Sequence, residues 1–165
     1  MYETMSGVAS DFAASVEAEN DFRGTMSDRD DFVAWTQTRL RDAETALHNG
    51  DTGPRLAIWS TREPVSVLGA WRSAVGQEAV RDLFHNLADT FSNCTSHVYE
   101  IVAADVVADI AFTAGYERTQ ASINGEPRRY VLRVTQVYRR EDGEWKVAHR
   151  HADTASDSEE ASSER

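Results

Sequence analysis

RYVLRVTQVYRREDGEWKVAHRHAD, residues 129–153, is the stretch from which the fold is read. Apolar and polar residues alternate through it with period two, the repeat of a β-strand with one buried face. Asp142-Gly143 interrupts the alternation, so two strands, Arg129–Arg140 and Glu144–Asp153, form a hairpin. In Arg140-Glu141-Asp142-Gly143-Glu144 the glycine stands fourth, which suits a type I turn closed by a glycine bulge. Arg140 then faces Glu144. Counting outward, Arg139 faces Trp145, Val137 faces Val147, Thr135 faces His149 and Arg133 faces His151. These eight share one face, read as the inner one, and the other face carries Val134, Gln136, Tyr138, Ala148 and Arg150. A two-residue turn would instead slip the register by one and set Gln136 opposite His149.

Upstream the pattern continues. Asn124-Gly125 signals another hairpin, and Val106–Thr119 and Thr95–Ala103 read as the two preceding strands. Before Asn93 the period becomes helical. Ser27 with Asp30 fits a capping box, and Phe32, Trp35, Leu40, Ala43 and Leu47 follow as an apolar stripe ended by Gly50. Asp51 or Thr52 can cap a short helix with Pro54 in its first turn, carrying Leu56 to Trp59. Pro64–Gly69 is strand-like. Gly76 opens a helix with Val80, Leu83, Phe84, Leu87 and Phe91 on one side. Helices set apart from an antiparallel sheet define the α+β class.

The 165 residues suit one domain, placed at 27–153, between acidic ends 1–26 and 154–165 whose composition suits solvated tails. The net charge of −11 repels phosphate backbones and anionic lipids, so neither nucleic acid nor a membrane surface is an expected partner. Met1–Asp11 lacks the basic start and apolar run of a signal peptide, and no run suits a transmembrane helix. A cytoplasmic protein is expected. Cys94 is the single cysteine and is read as inert. Phosphate-binding glycine loops and nucleophile elbows are absent from the sequence, which leaves nucleotide cofactors and acyl-serine chemistry without support. No cofactor or metal is expected.

Tyr116-Glu117-Arg118, Leu132-Arg133-Val134-Thr135, the run Tyr138–Val147 and His149-Arg150-His151-Ala152-Asp153 resemble the SnoaL-like and ketosteroid-isomerase-like branch of the nuclear-transport-factor-2 (NTF2-like) superfamily. The front half agrees, from the helix ending His48-Asn49-Gly50-Asp51 through Trp59-Ser60 to Val65–Gly69. The resemblance spans about Ser27–Asp153. It implies a cone-shaped α+β barrel with a pocket between sheet and helices, often dimeric through the sheet. Its members include isomerases, polyketide cyclases and dehydratases, so the fold alone does not choose a function. The aspartate and tyrosine constellation of ketosteroid isomerase has no motif here.

On the expected inner face His149 and His151 put two titratable rings in one pocket, which suits general acid–base catalysis; the alternative is that one is a hydrogen-bonded core histidine and the other lies at the mouth. Asp153 or Glu117 would complete a metal site, but the resembled family mostly works without metal. Arg133 pairs with Glu117 or orients a ligand oxygen, Thr135 stands beside His149, and Trp59 forms a pocket wall for an aromatic or apolar ligand. Two functions follow. One is an isomerase-, cyclase- or dehydratase-type enzyme moving protons on a small apolar carbonyl compound. The other is a non-catalytic binding module, homodimeric through Val134, Gln136, Tyr138 and Ala148 on the face taken as outer.

Overall fold

The structure, a computed structural model, describes residues 28–156, 159 and 160. Ser27 and most of the two acidic ends lie outside these residues. Helix α1 covers 28–47, α2 Gly53–Ile58 and α3 Gln77–Thr90. The strands are β1 Ser66–Leu68, β2 Ser73–Val75, β3 Phe91–Val107, β4 Ile110–Ile123, β5 Glu126–Glu141 and β6 Glu144–Thr154. They form one curved, unclosed sheet in the order β2-β1-β6-β5-β4-β3. Every neighbouring pair is antiparallel except β1 and β6.

The apolar stripe of α1 has one irregular step, the five residues from Trp35 to Leu40. A straight α-helix would turn Leu40 off the stripe. Residues Thr36–Leu40 form a π-helical turn, with Arg41 N–H donating to the Thr36 carbonyl. The extra residue returns Leu40, Ala43 and Leu47 to the buried side with Phe32. Thr36 and Thr38 donate their hydroxyls to the carbonyls of Val33 (2.6 Å) and Ala34 (2.8 Å), which accommodates the local widening. Phe32 meets Tyr138 edge-on at 4.9 Å and Trp145 at 5.1 Å, fixing α1 across the sheet. The short helix α2 starts where Asp51 Oδ1 accepts the Gly53 N–H at 2.9 Å. Gly50, at φ 89°, ends the turn before it.

Two expectations about the sheet change. The first concerns the β3–β4 turn, which falls at Ala108-Asp109 and lengthens both strands. β3 is bulged between Ile101 and Ala103. Opposite the bulge, Gly115 lies against the Glu100 carbonyl so closely that a Cβ would collide with it. The bulge bends the sheet around the helices.

The second concerns the β5–β6 hairpin. Asp142 and Gly143 have φ of 52° and 81°, a two-residue turn with both residues left-handed, and Glu141 faces Glu144. Tyr138 faces Val147, but Val137 then faces His149, leaving Ala148 as an extra residue. This bulge reverses the alternation along β6. Trp145 and Val147 point inward as expected, whereas beyond the bulge Arg150 and Ala152 point inward and His149 and His151 outward. The face assigned to β5 is likewise reversed: Gln136 and Tyr138 are both 0% exposed, while Arg133 and Thr135 face outward. Val134, Gln136, Tyr138 and Ala148, taken above as a dimer surface, are therefore buried.

Candidate functional site

The end of α1, the helices α2 and α3, the β1–β2 loop and the inner face of β4 to β6 enclose a cavity of about 470 Å³. Leu47, Val67, Leu83, Phe84, Phe91 and Leu132 make it mainly apolar. Its polar groups sit in two layers. On the sheet, Glu117 is delivered by β4 and Arg150 by β6. Arg150 donates both Nη1 (2.7 Å) and Nη2 (2.6 Å) to the Glu117 carboxylate. On the helical side, Arg55 of α2 is ion-paired with Glu44 of α1. The Arg55 guanidinium lies 4.9 Å from the Phe84 ring centre and 5.1 Å from that of Trp59.

Burial opposes ionisation of Glu117, but the charge and hydrogen bonds of Arg150 prevail and hold its carboxyl well below the usual range. An ionised carboxylate committed to an arginine is a poor general base. Two histidines beside it behave differently. His48, the residue capping α1, places Nδ1 at 2.7 Å from the Glu44 carbonyl oxygen and Nε2 at 2.6 Å from the Tyr130 hydroxyl. A carbonyl only accepts, so the proton is on Nδ1, and Nε2 accepts from Tyr130. Burial pushes the His48 pKa down to about 4 and pushes Tyr130 up.

His97 on β3 stands with its ring centre 5.3 Å from that of His48. Its Nδ1 is 3.0 Å from Thr119 Oγ1, and its buried Nε2 has no hydrogen-bond partner among the described residues. Burial lowers its pKa to about 4 as well. Both imidazoles are thus neutral at neutral pH.

The residues singled out in the sequence divide between the two faces. Glu117 lines the cavity. Trp59 is buried behind the cavity wall, meeting Phe84 edge-on at 4.9 Å. Arg133 pairs with Asp153 rather than Glu117, at 3.0 and 2.8 Å, because β5 presents Leu132 opposite Glu117. Arg133, Thr135, His151 and Asp153 come together in a shallow outer depression with Val102 and Tyr116. His149 lies nearby on that face, its Nδ1 2.8 Å from Ser66 Oγ. Its pKa is lowered by partial burial and by His151. No group of three or more metal-ligating side chains occurs among the described residues.

The sequence reading passed over His48, Tyr130, His97, Arg55 and Arg150. A signal for the helical pair was present: Glu44 and His48 recur four residues apart on the stripe of Leu40 and Leu47, polar groups where burial is expected.

Searching curated proteins finds no match. Solved structures share the architecture. A protein from Streptomyces avermitilis assigned as a dehydratase of the NTF2-like family is 17% identical, with a TM-score of 0.62 over 74% of this chain and 93% of that one. A ketosteroid isomerase-like protein from Erwinia carotovora atroseptica is 18% identical, with a TM-score of 0.57 over 73% and 97%. The association domain of C. elegans CaMKII is also 18% identical, with a TM-score of 0.57 over 79% and 98%. At these identities the likeness concerns the fold. The SnoaL-like domain family matches residues 36–155, and the chain belongs to that family, on an NTF2-like α+β fold.

Proposed function

We propose that this SnoaL-like chain is a small-molecule enzyme that moves a proton on a compact carbonyl compound, in an isomerisation, cyclisation or dehydration. The observation that carries this reading is the 2.6 Å hydrogen bond from Tyr130 to neutral His48 at the wall of an apolar cavity. Tyr130 donates its hydroxyl to Nε2 of His48, so a free lone pair of the phenol oxygen accepts a proton from the substrate as the phenol's own proton passes to Nε2. No free phenolate forms, and ionised Glu117 offsets the charge on the imidazolium. With a pKa near 4 the base is weak, which suits a C–H already acidified by a carbonyl group.

The test is exchange of α-hydrogens of compact cyclic ketones in D2O, followed by NMR. Wild type should accelerate exchange, and Tyr130→Phe and His48→Gln should remove most of the acceleration, by about 100-fold. The rate should rise with pH through about 4 and stay level above it, because neutral His48 is the active form. A profile that instead turns well above 4 would move the base away from His48.

A second reading, a homodimer formed through the outer sheet face, is favoured by exposed apolar side chains there. Val98, Val102, Ile110 and Phe112 stand on the outer sides of β3 and β4. Dimerisation is compatible with either catalysis or simple ligand binding.

A further inference from the structure

The rim of the cavity carries a charge pattern that the proton-transfer reading does not use. Arg72 in the β1–β2 loop and Arg128 and Arg129 on β5 are exposed and line the same cavity as His48 and Tyr130. Among the described acidic residues only Glu44 and Glu117 line it, and each is buried and paired with an arginine. The lining is therefore net cationic, in a chain of net charge −11. Arg72 makes no side-chain hydrogen bond or ion pair with another described residue. Arg128 is held by the exposed carboxylate of Glu126, which a ligand carboxylate can replace. Beside them Trp71 is 57% exposed and meets Tyr130 edge-on at 5.4 Å, an aromatic plate at the entrance.

We propose that the substrate is an amphipathic carboxylate, whose ring system enters the apolar cavity while its carboxylate stays at the rim on Arg72 and Arg128. This rests on the cavity being the small-molecule site. The planar guanidinium matches a carboxylate in two parallel hydrogen bonds, so the rim fixes which end of the ligand enters first. A carbonyl carried by the ring system then lies toward Tyr130 and His48. An exposed cation alone gains little from an anion in water, but a ligand that covers Arg72 and stacks near Trp71 excludes water from the contact. The acidic surface elsewhere repels the same anion, so the rim is the favoured point of approach.

Calorimetric titration of the full chain with matched acid and methyl ester pairs tests this, using benzoate, 2-naphthoate and tetralone carboxylate scaffolds. For at least one scaffold the acid should bind about tenfold tighter than its ester at low salt, with the advantage shrinking at high salt. In Arg72→Ala/Arg128→Ala the advantage should fall below about twofold, with ester affinity and melting temperature unchanged. Acids and esters that bind equally to wild type overturn the carboxylate assignment and leave the cavity reading intact. An acid advantage that persists in the double variant overturns the arginine seat. Absence of binding by any acid or ester overturns both readings together.

Discussion

Two carboxylate–guanidinium pairs lie back to back on the central strands. Glu117–Arg150 is on the inner face and Arg133–Asp153 on the outer, each joined by two hydrogen bonds. The side chains of Glu117 and Arg150 are 2% and 10% exposed, those of Arg133 and Asp153 50% and 52%. The same bond geometry therefore has different consequences. Outside, water solvates either partner alone, and such a pair stabilises by at most about 1 kcal/mol. Inside, neither charge tolerates being left alone. Arg150→Ala should destabilise by about 3–5 kcal/mol in urea denaturation, against less than about 1 kcal/mol for Arg133→Ala. Equal losses would mean that water reaches the inner pair. Replacing both inner partners, as in Glu117→Leu/Arg150→Met, should recover much of the loss by removing both buried charges.

The inner face also holds the two histidines with lowered pKa, and they sharpen the contrast as pH changes. Unfolded, each imidazole protonates near 6.5; folded, near 4. Above 6.5 neither state binds the proton and nothing changes. As pH falls from 6.5 to 4, the unfolded chain takes up protons that the folded chain refuses, so stability declines, by about 3 kcal/mol for each histidine. Below about 4.5 the lowered pKa of Glu117 adds a further loss. The urea midpoint should drop steeply from pH 6.5 to 4, and His97→Asn should remove about half of that drop. A midpoint that stays level over this window would require both imidazoles to take up protons in the folded protein as readily as in the unfolded chain.

Much of the fold is legible in the sequence because its signals are local. Asn124-Gly125 and Asp142-Gly143 mark two hairpins, and both adopt paired left-handed conformations at those residues. The apolar stripe of α3 buries Val80, Leu83 and Phe84 as its spacing predicts. The side of the sheet was harder to read. Alternation gives the period but not the phase, and the phase of β6 is reset at Ala148, where nothing in Val147-Ala148-His149 distinguishes a bulge from a continuous strand. One extra residue moved His149 and His151 to the outer face and brought Arg150 in. The site was hidden for another reason. Glu44 and His48, Arg55, His97 and Tyr130 come from four segments, and only tertiary packing makes them neighbours.

The smallest effects belong to the outer face, and they separate assembly from chemistry. His149→Ala/His151→Ala should change stability by no more than about 1 kcal/mol, because both side chains reach solvent and His149 gives up only its contact with Ser66. Ligand binding in the cavity should be unaltered. Phe112 and Val102 are 41% and 67% exposed on the same face, and Phe112→Glu adds a charge without opening a hole in the core. If two copies pack their outer faces together, sedimentation velocity should show the wild type as a dimer and Phe112→Glu as a folded monomer with an unchanged circular dichroism spectrum. Tyr138→Glu is the opposing control. It places a charge where Phe32, Trp35 and Thr113 meet, so it should unfold the chain rather than divide a dimer. A Phe112→Glu variant that remains dimeric would put the contact on another surface and leave the outer depression free for a ligand of its own.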